Sequence, residues 1–401
     1  MYQLLKGLSV IEASSFVASP TAGLYLAQMG AEVIRIDQAG GGPDFRRWPR
    51  GPSGFSLYWE NLNRAKKSVA IDLSKREGRE LMQRLAASTG QFLTNFPVDG
   101  FLAHDKLAAL RTDLVTVRVM GQANGGPALD YTVNAAIGVP GLTGPASLGD
   151  EPVNSGMPAW DLLSGAYAAF AMLAAIQHRA ATGQGQEVRV PLADVAIGTA
   201  ANLGMLAETV MEGQDRPRLG NTVYGAFGRD FVTRDGERLM LMAMTPRQWS
   251  GMVEVLGIGA EIAAIEQVRG VSFATDEGLR YEHRDALFPL VEARVRGWDR
   301  APLEAALAAK GCCFGGYATM TAAARDPALV TRNPMFGRTA NPSGLDYPAP
   351  GPFATLPAQE RGSPVRAPRL GEHSEQVLSE RLGLSDGEIA GLIDAGVVAR
   401  G

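Results

Sequence analysis

Residues 8–37, LSVIEASSFVASPTAGLYLAQMGAEVIRID, decide the fold because they form one strand–helix–strand pattern. Leu8 to Glu12 predict a buried strand. A helix is predicted from about Pro20 to Met29, with proline near its first turn and Gly30 at its end. Ala31 to Ile36 predict the next strand. Two strands joined through a helix in this way lie parallel in one sheet.

The same alternation continues to about residue 120. Ser68 to Leu73 predict a further strand, and Ser74 to Glu77 match the S-x-x-E capping box of a helix that should end near Gly90. Short strands are predicted at Phe92–Thr94 and Leu114–Met120. This alternation predicts the α/β class, with a mostly parallel sheet flanked by helices.

The chain changes character after this region. A Gly/Pro-rich stretch, 121–149, predicts a long loop of the kind that often carries function. An apolar helix is predicted from Trp160 to about Ala181. Residues from about Pro217 to Gly316 combine a Gly-containing loop, a strand pair and amphipathic helices, which predicts a smaller second domain.

Composition limits the classes of function. The 401 residues are 46% hydrophobic and 20% charged with a net charge of -4, which argues against general affinity for nucleic acid or anionic membranes. The two cysteines, Cys312 and Cys313, are adjacent and fit neither a disulfide framework nor a CxxC metal site. No signal peptide is visible in residues 1–7, and the most apolar stretch, 166–176, is shorter than a membrane span. We therefore expect a soluble, cytoplasmic protein.

Few residues offer covalent chemistry. The four histidines have no metal-ligand spacing, and neither a GxSxG elbow nor a GxxxxGK[ST] loop is present. Gly40–Gly42 follow a strand but lack the GxGxxG spacing of a dinucleotide site. Asp161 stands where the long apolar helix begins, and the free amides and dipole there favour an ionised carboxylate that could attack a thioester. The alternative is a plain helix cap, a common place for aspartate.

A family resemblance bears on this choice. The matching segments are 5–12 (LKGLSVIE), 26–37 (LAQMGAEVIRID), 63–73 (NRAKKSVAIDL), Asn95–Phe96, Asp161 with Ser164–Gly165, and 367–373 (APRLGEH). In this order and spacing they resemble the CaiB/BaiF family, the family III coenzyme A transferases, over nearly the whole chain. The resemblance implies that Asp161 is the catalytic nucleophile.

The resemblance also implies an architecture. We expect a Rossmann-like large domain built from both chain ends, at 1–215 and 326–401, and a small domain at 216–325. Two chains are expected to interlock as a homodimer. The substrate would be an acyl-CoA thioester, with no metal and no cofactor beyond the CoA of the substrate.

The resemblance distinguishes members within the family. Racemases carry a His before an Asp in the loop before the nucleophile, where this chain has Leu129–Asp130, so racemisation is disfavoured. The chain is more similar to members that move CoA between the C1 and C4 carboxylates of mesaconate, a C5 branched dicarboxylic acid. The segments that carry this similarity are 16–20, 45–49, 94–97, 130–134, 158–161, 224–231 and 333–336.

Supporting residues follow from the same matches. The expected CoA-binding residues are Phe16, Val17, Asn95 and Phe96. The candidates for binding a substrate carboxylate or a CoA phosphate are Arg46, Arg47 and Arg229, and the candidates for oxyanion donors are Gly225 and Gly228. Lys66 and Lys67 could meet the nucleotide phosphates, although basic pairs are more often solvated.

Two other functions remain open on the sequence. An intermolecular CoA transferase would use the same Asp161 but would require a second free acid. A non-catalytic CoA-binding protein would have no need of an acid at that position.

Overall fold

The computed structural model describes all residues, 1–401. Its strands are β1 (Ser9–Ala13), β2 (Glu32–Gln38), β3 (Lys67–Ile71), β4 (Gln91–Thr94), β5 (Val115–Met120), β6 (Gln186–Pro191), β7 (Phe227–Val232), β8 (Arg238–Ala243), β9 (Cys313–Gly316), β10 (Phe336–Gly337), β11 (Ala349–Pro350) and β12 (Val398–Ala399).

The helices are α1 (Ala18–Gln28), α2 (Leu57–Leu62), α3 (Arg76–Thr89), α4 (His104–Ala108), α5 (Asp130–Ala136), α6 (Val139–Leu142), α7 (Ala159–Thr182), α8 (Leu192–Asn202), α9 (Met205–Glu212), α10 (Pro246–Leu256), α11 (Gly259–Arg269), α12 (Glu277–Glu282), α13 (Arg284–Val295), α14 (Arg300–Ala309), α15 (Met320–Arg325), α16 (Ser374–Leu382) and α17 (Asp386–Asp394). Short helical turns cover Pro43–Arg46, Ala146–Leu148 and Pro327–Thr331.

The chain divides into two compact units. The large unit contains 1–137, 155–212 and 326–401, and the small unit contains 138–154 and 213–325. Residues 138–154 differ from the expected division, which assigned them to the large domain. The reason is local: Arg218 donates to the carbonyls of Thr143 and Glu151, and the Gly220 amide donates to the Gly144 carbonyl at 3.1 Å.

The large unit is built on a seven-stranded sheet in the order β12-β3-β2-β1-β4-β5-β6. All neighbours are parallel except β12, which pairs antiparallel with β3 at Val398 opposite Ile71. The predicted α/β class with a mostly parallel sheet is therefore confirmed. The small unit carries the antiparallel sheet β7-β8-β9, covered by α10, α13 and α14.

The start of α3 departs from the sequence prediction. The helix is capped by Lys75, whose side chain makes no capping bond, so the predicted capping box is absent. Ser74 instead bonds through its amide and its hydroxyl to Asp72 Oδ1, at 2.9 and 2.6 Å. Because the Ser74 hydroxyl is bonded to Asp72, it is not available to cap the first turn of α3. The end of α3 agrees with the prediction, because Gly90 follows Thr89 with φ at +74°.

Helix α7 has one face of small residues against α1. A Cβ on Gly165 would lie 2.5 Å from the Ala18 carbonyl oxygen, so the two helices approach as closely as their backbones allow. The 24 residues of α7 are also long and apolar enough to cross a membrane by length and composition, with 33% of the most apolar window buried. The expectation that no apolar segment reaches that length was wrong. One such helix is weak evidence for a span, because core helices of soluble proteins share these properties.

Candidate functional site

The candidate site of the large unit lies at the carboxyl ends of β1 and β4. These neighbouring strands mark the point where the strand order reverses, since β2 and β3 lie on one side of them and β5 on the other. Ligands of open α/β sheets bind in the crevice at such a point. The loop after β1 carries Phe16 and Val17, and the loop after β4 carries Asn95 and Phe96. Topology thus brings the four predicted CoA-binding residues to one crevice.

Asn95 joins these two loops. Its Oδ1 accepts the Ser15 amide at 3.2 Å, and its Nδ2 donates to the Ser15 carbonyl at 2.9 Å. Both ends of the side-chain amide are therefore bonded to one backbone position. Asn95 shapes the loop that presents Phe16, and a direct bond from it to CoA stays a prediction.

Phe16 holds an unusual backbone conformation. Its φ is +66°, one of two positive values among the non-glycine residues. Such a conformation costs free energy and persists where neighbouring groups enforce it. Here the Phe16 amide donates to Asp44 Oδ2 at 3.0 Å, and Asp44 is buried. The neighbouring Val17 is buried, whereas the Phe16 ring is 40% exposed.

The same aspartate fixes Arg47. Arg47 Nε donates to Asp44 Oδ1 at 2.8 Å, and the guanidinium lies over the Phe16 ring at 4.2 Å and near the Tyr58 ring at 5.8 Å. Asp44 therefore holds Phe16 through one carboxylate oxygen and Arg47 through the other. Arg46 is exposed; its carbonyl accepts from Arg50, and its side chain forms no hydrogen bond or ion pair.

A cluster of buried charges supports these loops from below. Arg35 binds Glu12 at 2.9 Å and Asp37 at 2.7 Å, and its guanidinium lies 3.7 Å from Asp44. Lys66 Nζ lies 2.8 Å from Glu12 Oε2 and is buried, so it is not the solvated lysine or phosphate ligand considered from the sequence. Burial lowers the pKa of Lys66 to about 8. In the sequence, the cluster is indicated by charged residues inside otherwise apolar strand segments: Glu12 in 10–12 (VIE), and Arg35 and Asp37 in 33–37 (VIRID).

Arg229, Gly225 and Gly228 belong to the small unit. Arg229 forms an ion pair with Glu292 at 3.1 Å, and its guanidinium lies over the rings of Phe231 and Phe288. These contacts pack it within the small unit, and its role in binding a carboxylate or a phosphate stays a prediction. Gly228 lies inside β7, where a Cβ would approach the Val223 side chain to 2.8 Å, so packing accounts for this glycine. Gly225 is in a turn with φ at +77°. The oxyanion role of the two glycines stays a prediction.

Asp161 lies in the first turn of α7 and is partly buried. It does not cap the helix: the N-cap is Pro158, and the Asp161 carboxylate forms no hydrogen bond or ion pair with the protein. Burial, and then the charge of Asp130, raise the pKa of Asp161 to about 6. The buried position and the neighbouring carboxylate shift this pKa in the direction opposite to the effect expected of the helix terminus, and the group still ionises below pH 7.

Three cavities are lined by residues of the candidate site or by their neighbours. The apolar cavity, about 470 Å³, is lined by Val17 and Tyr58 and, from the start of α7, by Pro158 and Leu162. The strand-end cavity has about 310 Å³, and its lining includes Ser14, Ser15, Arg35, Asp37, Asp44, Phe45, Leu73 and Phe96. The glycine-rich loop 121–129 lines a third space, of about 730 Å³, together with 95–99. No three His, Cys, Asp or Glu side chains are arranged to hold a metal ion.

Sequence reasoning missed three residues of the site. Asp44 holds both Phe16 and Arg47, Asp130 accepts the Asp161 amide at 2.9 Å, and the Tyr58 ring lies near the Arg47 guanidinium. Burial raises the pKa of Tyr58, and the charges of Asp44 and Asp161 add to the rise. In the sequence Asp130 stands only in the pair Leu129–Asp130 and in the matching segment 130–134, with no role indicated, and no pattern marks Asp44 or Tyr58.

Comparisons of sequence and of structure with known proteins indicate the same family. The family model described as CoA-transferase family III matches residues 5–374. The chain is 41% identical to 2-methylfumaryl-CoA isomerase of Chloroflexus aurantiacus, covering 100% of this chain and 98% of that protein. It is 28% identical to a succinate–glutarate CoA-transferase of Agrobacterium fabrum, covering 94% and 95% of the two chains. The crystal structure of a CaiB/BaiF family protein from Brucella suis superposes with a TM-score of 0.76 at 28% identity, covering 95% of this chain and 100% of that one.

Proposed function

The chain belongs to CoA-transferase family III, and on that premise we propose that it moves CoA between the C1 and C4 carboxylates of mesaconate within one substrate molecule. The similarity to 2-methylfumaryl-CoA isomerase, 41% over the full length, supports this substrate. Asp161 is the nucleophile of the proposed reaction.

The state of the Asp161 carboxylate carries the proposal. The group has no partner in the protein, its neighbours Pro158 and Leu162 line the apolar cavity, and its pKa is about 6. Most molecules therefore hold it ionised at pH 7, yet it is more basic than an ordinary aspartate. A desolvated, ionised carboxylate of this kind is suited to attack an acyl carbon.

The proposed steps exchange acyl groups and leave every atom accounted for. An Asp161 oxygen attacks the thioester carbonyl, the C–S bond breaks, and CoA leaves as thiolate from a mixed anhydride. The thiolate attacks the Asp161 carbonyl carbon, which gives an aspartyl-CoA thioester and free mesaconate. Mesaconate turns and attacks with its other carboxylate, and the released thiolate then takes the new acyl end and frees Asp161. Carboxylate and thiolate chemistry suffices for each step, so we propose no metal or redox cofactor.

Arg47 is the residue that we propose holds the free carboxylate of the substrate. Asp44 fixes one edge of its guanidinium through Nε, which leaves the terminal nitrogens for a ligand. The aromatic face of Phe16 restricts its plane. A guanidinium fixed in this way can bind a carboxylate bidentately, which favours dicarboxylate over monocarboxylate esters.

CoA is proposed to enter along the crevice between the β1 and β4 loops. Phe16, Val17, Asn95 and Phe96 border it, and the strand-end cavity extends it toward Asp37. Gly225 remains the proposed oxyanion donor. Water has to be excluded during turnover because a mixed anhydride hydrolyses readily.

A homodimer is the proposed assembly. Leu163, Tyr167 and Phe170 leave one face of α7 exposed, at 38%, 52% and 63%, and Leu203 and Met211 near α8 and α9 are 72% and 83% exposed. Contiguous apolar surface of this kind marks an interface, and a second copy would cover it. We propose the cytoplasm as its location.

The test is to incubate the purified protein with mesaconyl-C1-CoA alone and to follow the C4 isomer by liquid chromatography and mass spectrometry. Labelled free mesaconate is added in parallel, and Asp161→Ala is the control. Conversion without label uptake, lost in the variant, supports the intramolecular reaction. Label uptake, or reaction only after a second acid is added, would favour an intermolecular transferase, the activity named for the Agrobacterium fabrum relative.

A further inference from the structure

Helix α5 holds the beginning of α7 at two points. Asp130 Oδ2 accepts the backbone amide of Asp161 at 2.9 Å, and Asn134 Oδ1 accepts the Trp160 indole N–H at 2.9 Å. Asp130 and Asn134 are four residues apart and share one face of α5. Both are buried, at 3% and 2% exposure. The turn that carries the nucleophile is therefore fixed from one neighbouring helix.

The second oxygen of Asp130 has no such role. Asp130 Oδ1 is buried without a hydrogen-bond partner, and no cation pairs with the carboxylate. A buried carboxylate oxygen without a partner is costly, and a neutral side-chain amide could also accept the Asp161 amide, through a weaker bond. The retained charge therefore calls for a reason beyond the hydrogen bond.

That charge acts on Asp161. After burial, Asp130 is the second cause of the raised pKa of Asp161. Of the ionisable groups of α2, Tyr58 is the one whose pKa the charge of Asp161 affects. The α1 residues packed against this part of α7 do not ionise, and Asp194 at the start of α8 is exposed. Asp130 is thus the one acidic neighbour of the nucleophile.

We propose that Asp130 is a positioning residue of the transfer reaction, which fixes the nucleophile's backbone and holds against it a negative charge that acylation relieves. The inference rests on the proposed function. When Asp161 attacks the thioester carbonyl and the C–S bond breaks, its negative charge leaves with the thiolate. The acylated side chain is neutral, so repulsion from Asp130 is present in the free enzyme and absent in the anhydride and in the aspartyl thioester. Asp130 therefore favours acylation.

The experiment compares Asp130→Asn, Asp130→Ala and Asn134→Ala by the pH dependence of kcat/KM for mesaconyl-CoA. Asp130→Asn keeps the acceptor and removes the charge, so the acid limb of the profile should move to lower pH by about one unit. Asn134→Ala removes the hydrogen bond from the Trp160 indole and keeps the charge of Asp130. The value of kcat/KM should therefore fall while the acid limb stays at the same pH. Asp130→Ala loses both functions and should lose about a hundredfold in kcat/KM.

A second measurement needs no substrate. The difference in Tm between wild type and Asp161→Asn is followed from pH 4 to 8. The same difference is then measured between Asp130→Asn and the double variant Asp130→Asn/Asp161→Asn. The rise of this difference with pH should shrink when Asp130 is neutral. An acid limb and a Tm difference that Asp130→Asn leaves unchanged would overturn the proposal. Failure of the wild-type protein to convert mesaconyl-CoA would instead count against the proposed function, and the Tm comparison would still decide whether Asp130 acts on Asp161.

Discussion

Replacing Asp161 by Asn is expected to stabilise the protein at neutral pH while removing its transferase activity. The folded pKa of Asp161 is about 6, above the ordinary value of 3.8. Ionisation therefore opposes folding: there is no penalty below pH 3.8, the penalty grows between pH 3.8 and 6, and it is constant above. At about 1.4 kcal/mol per pKa unit, the upper value is about 3 kcal/mol at pH 7.

Differential scanning calorimetry at pH 4 and pH 7 measures this effect. With an unfolding entropy of about 2.1 cal/mol/K per residue over 401 residues, the upper value corresponds to a rise in Tm of about 3–4 °C. The rise should be present at pH 7 and nearly absent at pH 4. Asp194→Asn, at an exposed position in the first turn of α8, is the matched control and should leave Tm nearly unchanged. An Asp161→Asn protein less stable than wild type at pH 7, or equally stabilised at both values, would refute the reasoning.

Three further outcomes are expected. Arg47→Ala should lower kcat/KM about 10- to 100-fold through a raised KM, because a charge-assisted pair to the substrate carboxylate is lost. The kcat/KM of the control Arg46→Ala, at an exposed position, should stay within about twofold of the wild-type value. Equal losses for the two variants in steady-state assays would contradict the assignment. Gly165→Ala should lower the free energy of unfolding by about 1–3 kcal/mol, since its Cβ would lie 2.5 Å from a carbonyl oxygen of α1. Gly198 in α8 has open space around it, so Gly198→Ala should raise the free energy of unfolding by about 0.5–1 kcal/mol. Chemical denaturation of both variants and the wild type measures the two effects. Phe170→Asp should convert a dimer to a monomer in light scattering after gel filtration, and an unchanged dimer would exclude this face as the interface.

Much of the large unit follows from local patterns. The strand–helix–strand reading of 8–37 matches β1, α1 and β2 within two residues at each boundary, because short apolar runs and glycine stops act locally. The capping box at 74–77 failed because Asp72, two residues earlier, captures the Ser74 hydroxyl. The assignment of 138–154 failed because contacts with residues distant in sequence, such as Arg218, decide which unit a loop joins.

The sequence by itself determined the α/β class, the family and the choice of Asp161 as the candidate nucleophile, since each depends on the order and spacing of residues along the chain. Only the tertiary structure decided how that aspartate behaves. Its pKa depends on burial and on Asp130, which is 31 positions away in the chain and 2.9 Å from its amide in space. The same holds for Arg47, whose orientation depends on the buried Asp44 and the Phe16 ring. Electrostatic energies depend on distance and on exclusion of water, and neither quantity is set until the chain has folded.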